Sequence, residues 1–338
     1  MRHIEYDIVI SFFYISIIAK GLIICHVVKR KEKEMGSIIS IKEVLEKYIE
    51  GCQGKVKMST GRMLGKAVLA GAMIALGAAG SSVAAHTVPD VGLARLAASV
   101  VFPMGLMMVM LLGAELFTGD CLVAMSGFDR KQKLTSIIRV LVLVYGGNFV
   151  GATLLAWFVS MSGQWNYSGG MLGAYTIKVA MGKVGITFTQ GIVSGILCNI
   201  LVCGAVLMAM CAKDAAGKLL AIFFMIMLFV TSGFEHCVAN MYYITAGMLA
   251  MNQPEYVELA MTAYGYTAQQ LSQLNGLNYV LTNLVPVTIG NILGGVIFTG
   301  APLYYLNMNK GGSSKEVMNK EEKKNVMSYS GIPADPAS

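Results

Sequence analysis

The chain has 338 residues, of which 55 % are hydrophobic and only 13 % charged, with 38 glycines, 24 methionines and a formal net charge of +7. Soluble domains carry about a quarter charged residues. The composition therefore excludes a disordered chain, a nucleic-acid-binding domain and a disulfide-stapled secreted domain. It points to a polytopic membrane protein, because long uncharged apolar stretches are stable where no water competes. Of the seven cysteines, Cys121, Cys198, Cys203, Cys211 and Cys237 lie in or beside apolar runs and match no metal spacing.

In chain order, residues 1–35 read as an upstream extension, with a natural start at Met35; their apolar stretch Ile8–Val28 also fits an extra weak span or signal anchor. Residues 36–60 hold an amphipathic helix. Ser40 and Glu43 have capping-box spacing, and Ile41, Val44, Leu45, Tyr48 and Ile49 recur at helical intervals. Such a helix belongs on the cytoplasmic membrane surface or against a bundle. Residues 61–308 hold the apolar runs Ala67–His86, Ala97–Met125, Val140–Ser160, Ile186–Ala212, Leu219–Met248 and Tyr279–Leu303, each long enough to cross about 30 Å of hydrocarbon. Residues 309–338, rich in Lys, Ser, Gly and Glu, read as a disordered tail.

Basic residues set the orientation. Arg130, Lys131, Lys133 and Arg139, then Lys213 and Lys218, then the lysines of the tail mark cytoplasmic segments. The segment after run 5 has Glu255 and Glu258 but no Lys or Arg, so it faces outside. The segment between runs 3 and 4 should also face outside, yet it carries Lys178 and Lys183. A basic residue with no topological use is a functional candidate, and Lys183 has no acidic neighbour in its own segment.

An internal repeat is visible. Gly147-Asn148-Phe149-Val150-Gly151 in run 3 matches Gly290-Asn291-Ile292-Leu293-Gly294 in run 6. Run 2 is interrupted at Leu116-Phe117-Thr118-Gly119-Asp120, and run 5 at Ser232-Gly233-Phe234-Glu235-His236. A repeat of three spans inverts its second copy in the membrane, and paired broken helices in corresponding positions point to a site near the midplane. The fold expectation is an all-α membrane protein of six transmembrane helices in a 3+3 inverted repeat, with helices 2 and 5 broken.

Unpaired backbone groups in hydrocarbon are costly, so both breaks must line a cavity or be held by protein. The half-helix N-termini they create favour an anion. His236 sits at one break, where a histidine can give a hydrogen bond or a proton; a histidine in a span also serves simply to pack helices. Glu115 and Glu235 flank the breaks and are expected to accept backbone N–H bonds from the broken turns. Phe102, Leu106, Leu116 and Phe229 are bulky apolar residues near the breaks, and by composition alone they read as helix packing. Asn199 and Asn291 are amides within spans that can bond across helices.

The segment Gly233-Phe234-Glu235-His236-Cys237-Val238-Ala239-Asn240-Met241 resembles the signature of the formate/nitrite transporter family. Gly195-Ile196-Leu197-Cys198-Asn199-Ile200-Leu201-Val202-Cys203 resembles its second signature, and Ala114-Glu115-Leu116-Phe117-Thr118 and Pro286-Val287-Thr288-Ile289-Gly290-Asn291 are further matches. The resemblance runs from about Ser40 to Leu306. It implies a homopentamer in the lipid bilayer of the cell inner membrane, with an aquaporin-like pore in each protomer and both ends of the six-helix core cytoplasmic. It implies no enzyme, no cofactor, no metal and no nucleic-acid partner. The implied substrates are small monovalent anions, formate first, with nitrite or hydrosulfide as alternatives. A neutral-solute channel and an intramembrane enzyme are remote readings, since the chain has no Asn-Pro-Ala pair and no nucleophile or metal set.

Carried over by the same resemblance, His236 corresponds to the central pore histidine and Thr118 to the threonine on the opposite break. Lys183 corresponds to an outer-vestibule lysine that recruits the anion. Phe102, Leu106, Leu116 and Phe229 correspond to two apolar constrictions, Asn199 and Val202 to the pore wall near the lysine, and Asn291 to an amide of span 6. Magnitudes leave two routes open. A bare anion in a dry constriction costs on the order of 20 kcal/mol by the Born estimate, and several kcal/mol after relaxation. Protonating an acid of pKa ~4 at pH 7 costs about 4 kcal/mol. The anion can cross as the neutral acid with His236 holding or donating the proton, or partly hydrated with His236 only as a hydrogen-bond donor.

Overall fold

A computed structural model describes residues 38–308; the leader 1–35 and the tail from 309 fall outside the described residues. The described chain is helical and contains no strand. Six helices are long and apolar enough to cross a membrane. In chain order the elements are α1 Ile41–Lys57, α2 Thr60–Ala85, α3 Val91–Leu112, α4 Phe117–Asp120, α5 Ala124–Phe128, α6 Leu134–Met161, α7 Met171–Val184, α8 Phe188–Cys211, α9 Ala215–Ser232, α10 Cys237–Ala250, α11 Pro254–Tyr264, α12 Ala268–Leu271 and α13 Gly276–Asn307.

The apolar face of α1 is buried at Val44, Leu45, Tyr48, Ile49 and Cys52. It packs on the bundle, where the Tyr48 hydroxyl donates to the Gly119 carbonyl at 3.3 Å. Helices α7 and α11 lie outside the apolar runs. α7 buries Leu172, Gly173, Ala174, Thr176, Ile177, Ala180 and Val184, and α11 packs on it. Neither is long enough to span a bilayer, so a search for long apolar runs passes over both. Lys183, expected in a loop, stands in the last turn of α7. Inside α13, wider π-turns at Tyr279–Leu284 and Val296–Gly300 precede Pro286 and Pro302. A proline has no N–H to return to the preceding turn, and the wider turns absorb that loss.

Two helix pairs carry the bundle: α2 on α6, and α8 on α13. Both cross at glycines. A Cβ on Gly151 would strike the Val68 carbonyl of α2, and one on Gly294 the Ile196 carbonyl of α8. With lipid as solvent, close backbone approach supplies the attraction that the hydrophobic effect supplies in water. Gly294→Val is therefore expected to cost about 1–3 kcal/mol, the usual cost of overpacking. Gly61→Ala, at a position with open space around it, is expected to leave stability unchanged. Thermal unfolding of the detergent-solubilised protein compares them, and equal midpoints would remove the glycine contact as a determinant of packing.

Candidate functional site

The breaks in spans 2 and 5 are built alike. α3 ends at Leu112 and is closed by Gly113 at φ 69°; α9 ends at Ser232 and is closed by Gly233 at φ 71°. These left-handed turns suit glycine, which lacks the Cβ that would strain them. The chain then becomes extended at Leu116 (φ −114°, ψ 124°) and at His236 (φ −114°, ψ 113°) before helix resumes at Phe117 and Cys237.

The groups freed at each break are held by an asparagine. Asn148 Oδ1 accepts from Phe117 N at 2.9 Å, and its Nδ2 donates to the carbonyls of Ala67 at 2.7 Å and Glu115 at 3.0 Å. Asn291 Oδ1 accepts from Cys237 N at 2.9 Å, and its Nδ2 donates to Gly195 at 2.8 Å and Glu235 at 3.0 Å. Both amides are 0 % exposed. The sequence reading gave this task to Glu115 and Glu235. Their carboxylates turn instead to lysines, because an amide can accept and donate at once whereas a carboxylate only accepts. Asn148 was visible in the Gly-Asn repeat but was not singled out as a site residue.

Glu115 takes Lys55 Nζ at 2.6 Å and Lys66 Nζ at 3.8 Å; Lys55 also binds Asp120. Burial pushes the Lys55 ammonium toward a lower pKa, but the carboxylates of Asp120 and Glu115 outweigh burial and hold it above the ordinary lysine range. Glu235 takes Lys183 Nζ at 2.7 Å on one oxygen and Asn240 Nδ2 at 2.7 Å on the other. Lys183 has no acidic neighbour in its own segment, and its partner comes instead from the break in span 5. Lys55 went unnoticed because nothing in α1 distinguishes it from its neighbouring charges.

His236 joins the two breaks. Its Nε2 lies 3.0 Å from Thr118 Oγ1, and its Nδ1 accepts from Ala239 N at 3.1 Å, capping α10. A backbone N–H can only donate, so Nδ1 carries no proton and the ring is the neutral Nε2–H tautomer donating to Thr118. Phe229 lies 5.9 Å from the His236 ring and meets Phe102 edge-on at 5.5 Å between centroids. Phe102, Phe229, His236, Lys183 and Asn240 line one cavity of about 300 Å³. Leu106 and Leu116 line another of about 50 Å³, with Tyr48, Lys55, Asp120 and Val206. Asn199 and Val202, expected near the lysine, do not line its cavity. Asn199 Nδ2 donates to the carbonyls of Thr118 at 3.1 Å and Asn291 at 2.6 Å, and Val202 is buried. Both stand on α8, whose inner face backs the break at Thr118.

Comparison with known proteins agrees with this architecture. The sequence profile described as "Formate/nitrite transporter" matches residues 42–305. "Formate channel FocA" of Haemophilus influenzae is 37 % identical over 217 residues, covering 64 % of this chain and 75 % of that protein. The "Uncharacterized transporter YrhG" of Bacillus subtilis is 36 % identical over 279 residues, covering 82 % and 96 %. A solved structure described as "Pentameric formate channel with formate bound" superposes with a TM-score of 0.65 at 31 % identity, covering 74 % of this chain and 98 % of that one. With two broken spans meeting at His236 and a family match over most of its length, the chain is a multi-pass membrane protein that belongs to the formate/nitrite transporter family.

Proposed function

We propose that this chain forms a homopentameric channel in the cell membrane, one pore per protomer, that passes small monovalent anions, formate first. In this reading the two triplets of spans are related by inversion, and both ends of the six-helix core are cytoplasmic. The observation that carries it is the Thr118–His236 contact, which joins the two breaks between a cavity flanked by Phe102 and Phe229 and one flanked by Leu106 and Leu116. A site of that kind offers a passing anion one hydrogen-bond donor inside an apolar sleeve.

The cap on Nδ1 bears on the route. An imidazolium would need a proton on Nδ1, and Ala239 N–H already points there. Supplying a proton to formate therefore means giving up the cap of α10 in each cycle. That favours His236 as a neutral donor that exchanges its Thr118 bond for one to the anion.

Reconstituted liposomes test the reading with labelled formate, nitrite, hydrosulfide and glycerol, with internal pH followed alongside. Formate flux well above that of glycerol is expected; glycerol at an equal rate would sink the anion reading. His236→Asn keeps an Ncap acceptor for Ala239 but is too short to reach Thr118 as well. A charge-assisted hydrogen bond contributes about 1.5–3 kcal/mol, so formate flux is expected to fall roughly 10- to 100-fold while the oligomer stays intact. Undiminished flux in His236→Asn would leave His236 as a packing residue.

A further inference from the structure

The Lys183 ammonium is matched by Glu235 at 2.7 Å, so the pair adds almost no net charge to the cavity above it. That cavity is nevertheless cationic. Arg95 and Lys178 line it with Lys183, and no Asp or Glu does. Among the described residues, no carboxylate pairs with Arg95 or with Lys178. Asp90 caps its own helix at Leu93 N at 2.8 Å and does not line the cavity. The Arg95 guanidinium rests on the turn that closes α9, where a Cβ on Gly233 would strike Nη1. Lys178 is held over the rings of Tyr264 at 4.6 Å and Tyr175 at 5.6 Å. Both cations are exposed to the mouth.

We propose that Arg95 and Lys178 form an outer anion site, distinct from the Lys183–Glu235 pair, that captures a carboxylate or similar small oxoanion at the cavity mouth and sets the concentration at which passage half-saturates. A guanidinium presents a planar fork to two carboxylate oxygens, and an ammonium adds a point charge. A cleft with one sign of charge and low-dielectric walls focuses counter-ions into it. The cavity, at about 300 Å³, has room for an anion to dwell above the Phe102–Phe229 contact. This inference rests on the proposed passage of anions, so its test includes a readout that needs no passage.

The variants are Arg95→Gln/Lys178→Gln and the charge-preserving Arg95→Lys/Lys178→Arg, each checked for an intact oligomer. Formate flux in liposomes is measured over concentration at low and high salt, and broadening of the ¹³C-formate resonance by purified protein reports binding. The neutral double variant is expected to raise the half-saturating concentration about tenfold at low salt, at the lower end of electrostatic focusing, with maximal flux unchanged. The difference should shrink as the Debye length falls below about 10 Å above 0.1 M salt, and the charge-preserving variant should behave like wild type. Line broadening should weaken in the neutral variant alone. Equal half-saturation and equal broadening in wild type and neutral variant would overturn the site, as would a charge-preserving variant as impaired as the neutral one. Wild-type protein that passes no formate, yet broadens it in a manner dependent on Arg95 and Lys178, overturns the proposed function and upholds the site.

Discussion

Asn291→Leu is expected to abolish the folded oligomer, or to lower its unfolding midpoint more than any other single change considered in this protein. The leucine is close in size, so no large cavity opens. What it removes is the acceptor for Cys237 N and the donor for the carbonyls of Gly195 and Glu235. Each buried group left without a partner costs about 1–3 kcal/mol. The Gly195 carbonyl keeps its bond within α8, so two groups, Cys237 N and the Glu235 carbonyl, are stranded; together they reach roughly 2–6 kcal/mol by the same measure, a large share of the whole stability of many domains. Asn148→Leu strips the same three kinds of bond from the other break and should behave alike. Asn252→Leu, exposed at the end of α10, is the control. Yield of monodisperse oligomer and thermal scanning in detergent read the effect. An Asn291→Leu protein as stable as the control would mean that something else holds the break.

Lys183→Met is expected to destabilise the protein more than Glu235→Gln does. Without its ammonium, the buried Glu235 carboxylate keeps only Asn240 as a partner, and stranding one member of a buried pair costs about 3–5 kcal/mol. Glu235→Gln still offers an oxygen to Asn240, and it leaves Lys183, which is about one-fifth exposed at its side chain, with a path to water. The double variant Lys183→Met/Glu235→Gln removes both charges and should recover much of the stability lost in Lys183→Met. The two single variants, the double and wild type form a thermodynamic cycle whose coupling is measured by thermal unfolding. A double variant no more stable than Lys183→Met would show that the two side chains act independently.

The six spans and both breaks were legible because their signals are local. Hydropathy over some twenty residues announces a span. At each break a glycine, Gly113 or Gly233, stands a few residues ahead of Thr118 or His236 within an otherwise apolar run. The Gly-Asn repeat likewise marked the two helices that cross at glycine. What local pattern could not supply is partnership. Glu235 and Lys183 lie 52 positions apart, and Glu115 and Lys55 lie 60 apart. Nothing in either neighbourhood indicates that they pair.

For the same reason the carboxylates were read as holding the broken turns, when that work belongs to Asn148 and Asn291. Polarity beside a break suggests a cap, but only tertiary geometry shows which side chain reaches across from the neighbouring helix. Asn199 likewise donates to the carbonyls of Thr118 and Asn291, 81 and 92 positions away, partners that its own helix does not announce. Composition and periodicity therefore determined that this chain is a bundle of membrane helices broken twice, because burying a polar backbone in hydrocarbon admits few alternatives. The tertiary structure alone decided which buried polar groups satisfy one another. Hydrogen bonds and ion pairs act over about 3 Å, and the chain brings their members together only once every helix has packed.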